Sequence, residues 1–274
     1  MQRTIQGLAL AAAIALAWAA PAGAQDGKVH VQWLGQSTTK ITSPKGKVIL
    51  IDPFMTKNPK TPEKHKDLKA LGKIDVILVT HAHFDHWADM PELARMHKIP
   101  VYAPAGFADT LIRLEVLPAE QLPRMNKSGT IAPVGPEIKI TMVRAEHSPE
   151  LVYMDPFTKT ERTFPAGEPV GFIVELENGF KIYHMGDTGI FGDMKFIAEY
   201  YKPNLIMMPI GGHYVMSPKD AAYVTNNFLK PQHVIPFHYA TNPFLKGTPE
   251  EYIQALGKTT TKVHTLNPGD GMTF

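Results

Sequence analysis

The stretch His81-Ala82-His83-Phe84-Asp85-His86 carries three imidazoles and one carboxylate within six residues. It directly follows the run Ile74-Asp75-Val76-Ile77-Leu78-Val79-Thr80, whose apolar and β-branched character is typical of a buried strand. Ligands of an open α/β sheet bind at the carboxyl ends of its strands. Because His81 and His83 are two residues apart, on extended backbone they point to the same side and can share one ion. The stretch therefore predicts a metal site, and the alternative is a polar loop with solvated histidines.

Three more ligand-type residues, at positions 147, 187 and 238, also follow runs with strand character. Zinc-type ions prefer imidazole nitrogen and carboxylate oxygen, and the chain has no cysteine to offer instead. A simple assignment divides the residues between two ions. The first ligand set is His81, His83 and His147. The second ligand set is Asp85, His86 and His238, with Asp187 as a bridge between the two.

The predicted chemistry of this cluster is hydrolysis by a metal-bridged hydroxide. Two ions roughly 3.5–4 Å apart lower the pKa of a shared hydroxide toward about 7, which supplies a nucleophile at neutral pH. We expect two divalent ions, with zinc first and manganese, iron or nickel as alternatives, because His/carboxylate sites accept all of them. The predicted catalytic residues are Asp85 and His213. His213 follows Gly211-Gly212 and can assist proton transfer to the leaving group, or it is a structural histidine on a tight turn.

The first 24 residues have the layout of a secretory signal peptide. Arg3 gives a positive n-region, Leu8 to Ala20 an apolar h-region, and Ala22-Gly23-Ala24 a small-residue cleavage site. The alternative is an uncleaved membrane anchor, because the uncharged run from Thr4 to Gln25 is 22 residues long. Cleavage predicts a periplasmic or secreted protein without stable membrane association.

The composition narrows the function classes for residues 25–274, which we expect to form one domain. A content of 44% hydrophobic and 20% charged residues is typical of a soluble globular protein. The net charge of +2 gives no general attraction to nucleic acid. We therefore expect a small-molecule substrate and no nucleic-acid partner, and the sequence leaves a homo-oligomer open.

Strands and helices alternate along the remaining chain without a linker. Residues 55–70 and 148–168 are predicted to be loops, either flaps that contact substrate or solvated surface segments. Aromatic residues Phe54 and Trp87 line the groove or belong to the packing. Predicted helices cover residues 90–97, 106–115, 193–201, 218–228 and 248–256, with Asp89 and Ser217 as caps of the first and fourth. Predicted strands cover residues 29–34, 40–42, 48–51, 74–80, 101–103, 137–143, 170–176, 180–183, 205–208, 233–236 and 261–266.

The motif His81-x-His83-x-Asp85-His86, followed in order by His147, Gly186-Asp187-Thr188 and His238, resembles the metallo-β-lactamase superfamily. Nearly the whole chain after the leader resembles the branch of metal-dependent hydrolases near L-ascorbate-6-phosphate lactonase. The additional segments that carry this likeness are Trp33-Leu34-Gly35-Gln36-Ser37, Ile51-Asp52-Pro53-Phe54, Pro209-Ile210-Gly211-Gly212-His213 and Pro236-Phe237-His238-Tyr239. The resemblance implies an α/β (α+β) fold, a four-layer αβ/βα sandwich with metals in a groove along one edge.

Two departures from that branch bear on function. A histidine often follows Leu-Gly in the branch, whereas this chain has Gln36, and most members are cytoplasmic, whereas this chain has a predicted export signal. True β-lactamases with a cysteine-free site generally lack the bridging aspartate that Asp187 provides here. We therefore predict an exported metal-dependent hydrolase of an ester, lactone or phosphodiester. The alternatives are a β-lactamase-type amide hydrolase, a mononuclear sulfur dioxygenase and a non-catalytic metal-binding protein.

Overall fold

The computed structural model describes residues 27–274, so the predicted signal peptide over residues 1–24 lies outside the described residues. In the described range the strands of the first half of the chain are β1 (His30–Gly35), β2 (Thr38–Thr42), β3 (Val48–Ile51), β4 (Val76–Leu78), β5 (Val101–Pro104), β6 (Arg124–Met125), β7 (Thr130–Ile131) and β8 (Lys139–Arg144). The strands of the second half are β9 (Leu151–Met154), β10 (Glu161–Phe164), β11 (Val170–Glu175), β12 (Lys181–His184), β13 (Leu205–Pro209), β14 (His233–Phe237), β15 (Lys262–Val263) and β16 (Gly271–Thr273).

The strands form two seven-stranded mixed sheets and one separate hairpin. The first sheet has the order β16-β1-β2-β3-β4-β5-β6, and the second has the order β15-β14-β13-β12-β11-β8-β7. The pairs from β3 to β6 and from β12 to β15 are parallel, and the remaining pairs of both sheets are antiparallel. Strand β8 runs in the same direction as β12, because both pair antiparallel with β11. The carboxyl ends of β8, β12, β13 and β14 therefore lie at one edge of the second sheet.

Alternation of apolar side chains along the strands builds a core between the two sheets. Ile49 and Ile51 of β3 face this core, together with Phe172 of β11 and Met207 of β13. Leu50, between the two isoleucines, faces the opposite side of its sheet and packs with helical residues. Strands that are buried on both faces read as continuous apolar runs, which is why Val48–Ile51 has no polar position.

Helices cover the outer face of each sheet. Helices α2 (Met90–His97) and α3 (Ala105–Arg113) pack on the first sheet. Helices α4 (Met194–Tyr201), α5 (Pro218–Val224) and α6 (Pro249–Leu256) pack on the second sheet. The four layers are therefore helix, sheet, sheet and helix, and the predicted αβ/βα sandwich is confirmed. The described chain also contains the short helix α1 (Phe84–Trp87). In residues 27–274 no helix has the length and apolar character needed to cross a bilayer.

The predicted helix caps have different outcomes. The Ser217 side chain accepts from the Asp220 backbone N–H in a capping box, as predicted. Asp89 precedes α2 but makes no side-chain cap, so that prediction is wrong. Its carboxylate instead accepts from the backbone N–H groups of Met55 and Thr56, which fixes the loop after β3.

Two predicted loops contain regular structure. Residues 55–70 include short 3₁₀ helices at Glu63–His65 and Leu68–Leu71, and Leu68 is buried in the core under the first sheet. Residues 148–168 include the β9–β10 hairpin, which buries Leu151 in the same core. Three consecutive exposed polar residues, Glu161, Arg162 and Thr163, obscure strand β10 in the sequence. The closing strand is shorter than predicted, and β16, which pairs with β1, was not predicted.

Candidate metal centre

The seven predicted ligands converge at the strand ends of the two sheets. Four come from the segment between β4 and α2: His81 follows β4, His83 precedes α1, and α1 itself carries the other two. The remaining three follow strands of the second sheet: His147 follows β8, Asp187 follows β12 and His238 follows β14. The site therefore lies at the edge where the carboxyl ends of strands from both sheets meet.

The first ligand set is compact. The Nε2 atom of His81 lies 3.0 Å from Nδ1 of His83, and Nε2 of His147 lies 3.2 Å from the same atom. One potential ligand atom from each of these three side chains lies within 4.8 Å of the others. The geometry allows the three imidazoles to hold one ion.

The second ligand set lies beside the first. In this set, Oδ2 of Asp85 lies 3.6 Å from Nε2 of His238 and 3.9 Å from Nε2 of His86. Potential ligand atoms of these three residues again lie within 4.8 Å of one another. His86 and His238 are buried, whereas Asp85 is partly exposed at the entrance.

Asp187 contacts both sets. Its Oδ2 atom lies 2.9 Å from Nε2 of His238 and 3.7 Å from Nε2 of His147. Its Oδ1 atom lies 3.4 Å from Nε2 of His86. If both sets hold an ion, Asp187 is the residue that would be shared between them.

Unsatisfied buried atoms show that a cation fits the cluster. Nε2 of His86 and Oδ1 of Asp187 are both buried, and neither has a hydrogen-bond partner among the described residues. Buried polar atoms are normally satisfied. Lone pairs of imidazole and carboxylate directed at one another are what a divalent ion satisfies, so the residues present fit the metal that the sequence predicts.

The ionisation of the cluster agrees with this fit. Burial lowers the pKa of His238, but Asp187 outweighs it and raises that pKa to about 9. Burial also lowers the pKa of His86, and the adjacent carboxylates raise it well above its usual value. Burial lowers the pKa of His147 to about 4. The first ligand set therefore contains neutral histidine at neutral pH, whereas the second holds protons that a cation displaces.

Asp52 orients His86 through a hydrogen bond with its Nδ1 atom. The Asp52 Oδ2 atom lies 2.8 Å from Nδ1 of His86, and the same carboxylate accepts from the backbone N–H and the hydroxyl of Thr80. Hydrogen bonding to the Nδ1–H leaves the Nε2 lone pair of His86 free to bind a metal. The sequence analysis did not assign Asp52 a role, although its place directly after the apolar strand β3 is the same signal that identified the ligands.

Gln36 is the second residue of the site that the sequence analysis missed. Its Nε2 atom donates to Oδ2 of Asp85 at 2.5 Å and lies 2.8 Å from Nε2 of His238. The Gln36 side chain is buried and lines the pocket. The position where the related branch often has histidine therefore keeps a polar side chain in direct contact with the second ligand set.

Three residues of the site have left-handed backbone conformations, which set the directions of their side chains. Gln36 has φ 48°, Asp52 has φ 51° and His238 has φ 56°. Such a conformation costs roughly 1–2 kcal/mol for a residue other than glycine. Two hydrogen bonds fix the turn: the Gln36 carbonyl accepts from the His238 N–H and from the Trp33 indole.

The Gly211-Gly212 turn allows two backbone segments to approach closely. A Cβ atom on Gly211 would lie 2.3 Å from the carbonyl oxygen of His238, so only glycine lets the two segments approach. His213 itself is exposed, with its ring stacked on Phe244 at 4.9 Å, and among the described residues it is Tyr214, not His213, that lines the pocket. The structure thus does not bring His213 together with the seven ligands, and its catalytic role stays a prediction.

His184 and Thr188, which lie beside the cluster, form hydrogen bonds with the backbone of neighbouring loops. His184 accepts from the Gly186 N–H at 3.3 Å, and its Nε2 lies 3.0 Å from the carbonyl oxygen of Ser37. The Thr188 hydroxyl accepts from the Glu146 N–H, next to His147. These hydrogen bonds fix the segments that carry Asp187 and His147.

A cavity of about 590 Å³ opens directly onto the cluster. Phe54 lines it, as one reading of the sequence predicted, whereas Trp87 is buried in the packing and donates its indole N–H to the Ala82 carbonyl. A volume of this size accommodates a small-molecule ligand. The lining residues are Gln36, Phe54, Pro59, His83, Phe84, Asp85, His147, Ser148, Asp187, Tyr214, His238, Thr241 and Asn242.

Comparison with known proteins assigns the family. Residues 47–239 match the model of the Beta-lactamase superfamily domain, which covers more than half of the chain. The chain therefore belongs to this superfamily, as the sequence motifs predicted.

Matches to individual proteins are more specific than the match to the family model. It is 57% identical over 258 residues to a UPF0173 metal-dependent hydrolase of Polaromonas sp. strain JS666, and the match covers 94% of this chain and 93% of the relative. It is 52% identical over 250 residues to another of Cupriavidus metallidurans, covering 90% and 86%. Igni18, a metallo hydrolase from the hyperthermophilic archaeon Ignicoccus hospitalis, has 31% identity and a TM-score of 0.76, with 90% of this chain and 98% of Igni18 covered. The protein is a metal-dependent hydrolase of the metallo-β-lactamase superfamily.

Proposed function

We propose that this hydrolase is exported and cleaves an ester, lactone or phosphodiester with two divalent ions, most simply zinc. The observation that carries the proposal is the position of Asp187. Its two oxygens lie 2.9 Å from His238 and 3.4 Å from His86 in the second ligand set, and the first oxygen also lies 3.7 Å from His147 in the first ligand set. One bridging carboxylate with three further ligands on each side is a donor set for two ions.

The residues in and around the cluster have different roles in the proposed hydrolysis. Two ions held there would lower the pKa of a water molecule and polarise the scissile carbonyl or phosphoryl group. Asp52 keeps the proton of His86 on Nδ1, and the Gln36 amide holds the Asp85 carboxylate by a hydrogen bond. Asp85 lines the pocket with 30% of its side chain exposed, so its carboxylate is placed to take and return a proton during hydrolysis.

The proposal of export rests on the sequence of the first 24 residues. We expect the mature chain in the periplasmic or secreted fraction to begin at Gln25. Intact-mass measurement of the protein recovered from that fraction tests this. A chain that keeps residues 1–24, or one found only in the cytoplasm, contradicts it.

The activity is tested on protein purified from the periplasm without chelator. Metal content is measured together with turnover of a lactone, a bis-aryl phosphodiester, a thioester and a cephalosporin. The proposal predicts about two zinc or manganese ions per chain and turnover of the lactone or the phosphodiester. His83→Ala should abolish turnover. His264→Ala, at a histidine that pairs with His233 instead of with the cluster, should leave turnover unchanged.

Other outcomes of the same experiment contradict the proposal. Turnover of the cephalosporin alone would indicate a β-lactamase-type amide hydrolase. A single iron without any of these activities would indicate a mononuclear dioxygenase. Unchanged turnover in His83→Ala would show that the cluster takes no part in the reaction.

A further inference from the structure

Two partly exposed aromatic side chains belong to the wall of the cavity that holds the cluster. Phe84 and Tyr214 both line the cavity, and each is 49% exposed. Large aromatic side chains gain free energy when they are buried, so a half-exposed pair at the rim of a catalytic cavity indicates a surface that a ligand covers.

Both rings are held in place by neighbouring rings. Phe54, which is buried, contacts Phe84 edge to face with the ring centroids 5.3 Å apart. Tyr214 packs against His213 at 4.4 Å, and His213 in turn stacks on Phe244. Phe84 also lies on α1 between two predicted ligands, His83 and Asp85. Its ring is therefore fixed next to the metal centre.

Charge in the wall is confined to the cluster at its base. Of the residues that line the cavity in the described chain, those outside the cluster are aromatic, proline or neutral polar, and none is lysine or arginine. Lys57 lies near the rim, but its ammonium group packs over the ring of Phe84 at 5.3 Å. A phosphate group remote from the scissile bond would find no fixed cation in this wall.

We propose that the substrate is an ester or lactone that carries an uncharged aryl group, with the scissile bond at the cluster and the aryl ring between the wall residues Phe84 and Tyr214. This inference rests on the proposed function and names the substrate class of the same site. Aromatic rings favour offset or edge-to-face contact with other rings, which the two wall residues offer.

The test measures binding without turnover. Benzylphosphonate and methylphosphonate are titrated calorimetrically into the zinc-loaded protein, because both present the same oxyanion to the metals and differ only by the ring. The expected result is at least about tenfold tighter binding of benzylphosphonate, the scale of discrimination that an apolar pocket provides. Phe84→Leu and Tyr214→Ala should each reduce this preference severalfold, whereas Tyr214→Phe should retain it.

A matched control separates the wall from general surface effects. Phe196 is 57% exposed and stacks on Tyr200 at 5.4 Å, so it resembles Phe84 in exposure and ring contact but lies on α4. Phe196→Ala should leave the preference unchanged. Equal affinity for the two phosphonates, or a preference that survives in both wall variants, overturns the inference.

The two proposals fail in different ways. Turnover of a lactone or phosphodiester without any preference for benzylphosphonate overturns the aryl pocket and leaves the proposed function standing. A clear preference for benzylphosphonate without turnover of any ester, lactone or phosphodiester overturns the proposed function. It supports only the binding of an aryl ring by Phe84 and Tyr214.

Discussion

Replacement of Asp52 by asparagine tests how the site prepares His86 for a metal. The Asp52 carboxylate accepts three hydrogen bonds, two from Thr80 and one from Nδ1 of His86 at 2.8 Å. In Asp52→Asn one oxygen can still accept from the Thr80 N–H, but the new amide N–H₂ then faces Nδ1 of His86. Two donors cannot share that hydrogen bond, so neutral His86 must carry its proton on Nε2 instead of Nδ1. Nε2 is the atom 3.4 Å from Asp187 that is predicted to bind the metal.

The size of the effect follows from the hydrogen bond between Asp52 and His86 that the substitution removes. Loss of an outer hydrogen bond to a ligand histidine costs about 10–100-fold in metal affinity, which corresponds to about 1.4–2.7 kcal/mol. The metal-free fold should lose about 1–3 kcal/mol of unfolding free energy, because a buried acceptor is replaced by a donor. Zinc affinity is measured by competition with a chromophoric chelator, and stability by denaturant unfolding in the presence of a chelator.

Asp89→Asn is the matched control. Asp89 is also buried and also accepts two backbone N–H groups, from Met55 and Thr56, but it contacts no histidine of the cluster. The control should lose stability and keep wild-type zinc affinity. Unchanged zinc affinity in Asp52→Asn, or equal loss of affinity in both variants, would refute the role assigned to Asp52.

Three further predictions concern the second ligand set. Gln36→Ala removes the donor to Asp85, and we expect about 10–100-fold lower turnover with two ions still bound, measured by steady-state kinetics and metal analysis. Gly211→Ala places a Cβ atom 2.3 Å from the His238 carbonyl oxygen and should cost about 1–3 kcal/mol of unfolding free energy, whereas Gly192→Ala, with open space around it and no left-handed backbone, should cost less in the same denaturant titration. The pKa of His238 rises from 6.5 to about 9 on folding without metal, so its stabilising contribution is complete below pH 6.5 and is lost as the pH rises through about 9. The unfolding midpoint of chelator-treated protein should therefore fall over this range, and His238→Gln should flatten the fall; a rise with pH would contradict the assignment.

Local sequence patterns predicted most of the long strands and the location of the site. Apolar runs such as Val48–Ile51 are readable as strands buried on both faces, and residues after such runs meet at one sheet edge. All seven predicted ligands come together there. The family resemblance adds the four-layer arrangement, with two sheets face to face and helices outside, which local patterns do not contain.

Elements that depend on distant partners were missed. Strand β16 is short and acquires its structure by pairing with β1, which lies at the other end of the described chain. Strand β10 begins with the polar residues Glu161, Arg162 and Thr163, and the burial of Leu151 by the β9–β10 hairpin depends on a core built by other segments. The hydrogen bonds of Asp52 and Gln36 with the ligands likewise cross from one strand end to another, so composition and spacing do not reveal them.

We expect the cluster to hold two ions, one in each ligand set, with Asp187 shared between them. The most direct measurement is the number of zinc ions per chain, by elemental mass spectrometry, in the wild type and in one variant of each set, His147→Ala and His238→Ala. We predict about two ions in the wild type and about one in each variant. A wild-type chain with no ion or with one, or variants that both keep two, would contradict the claim.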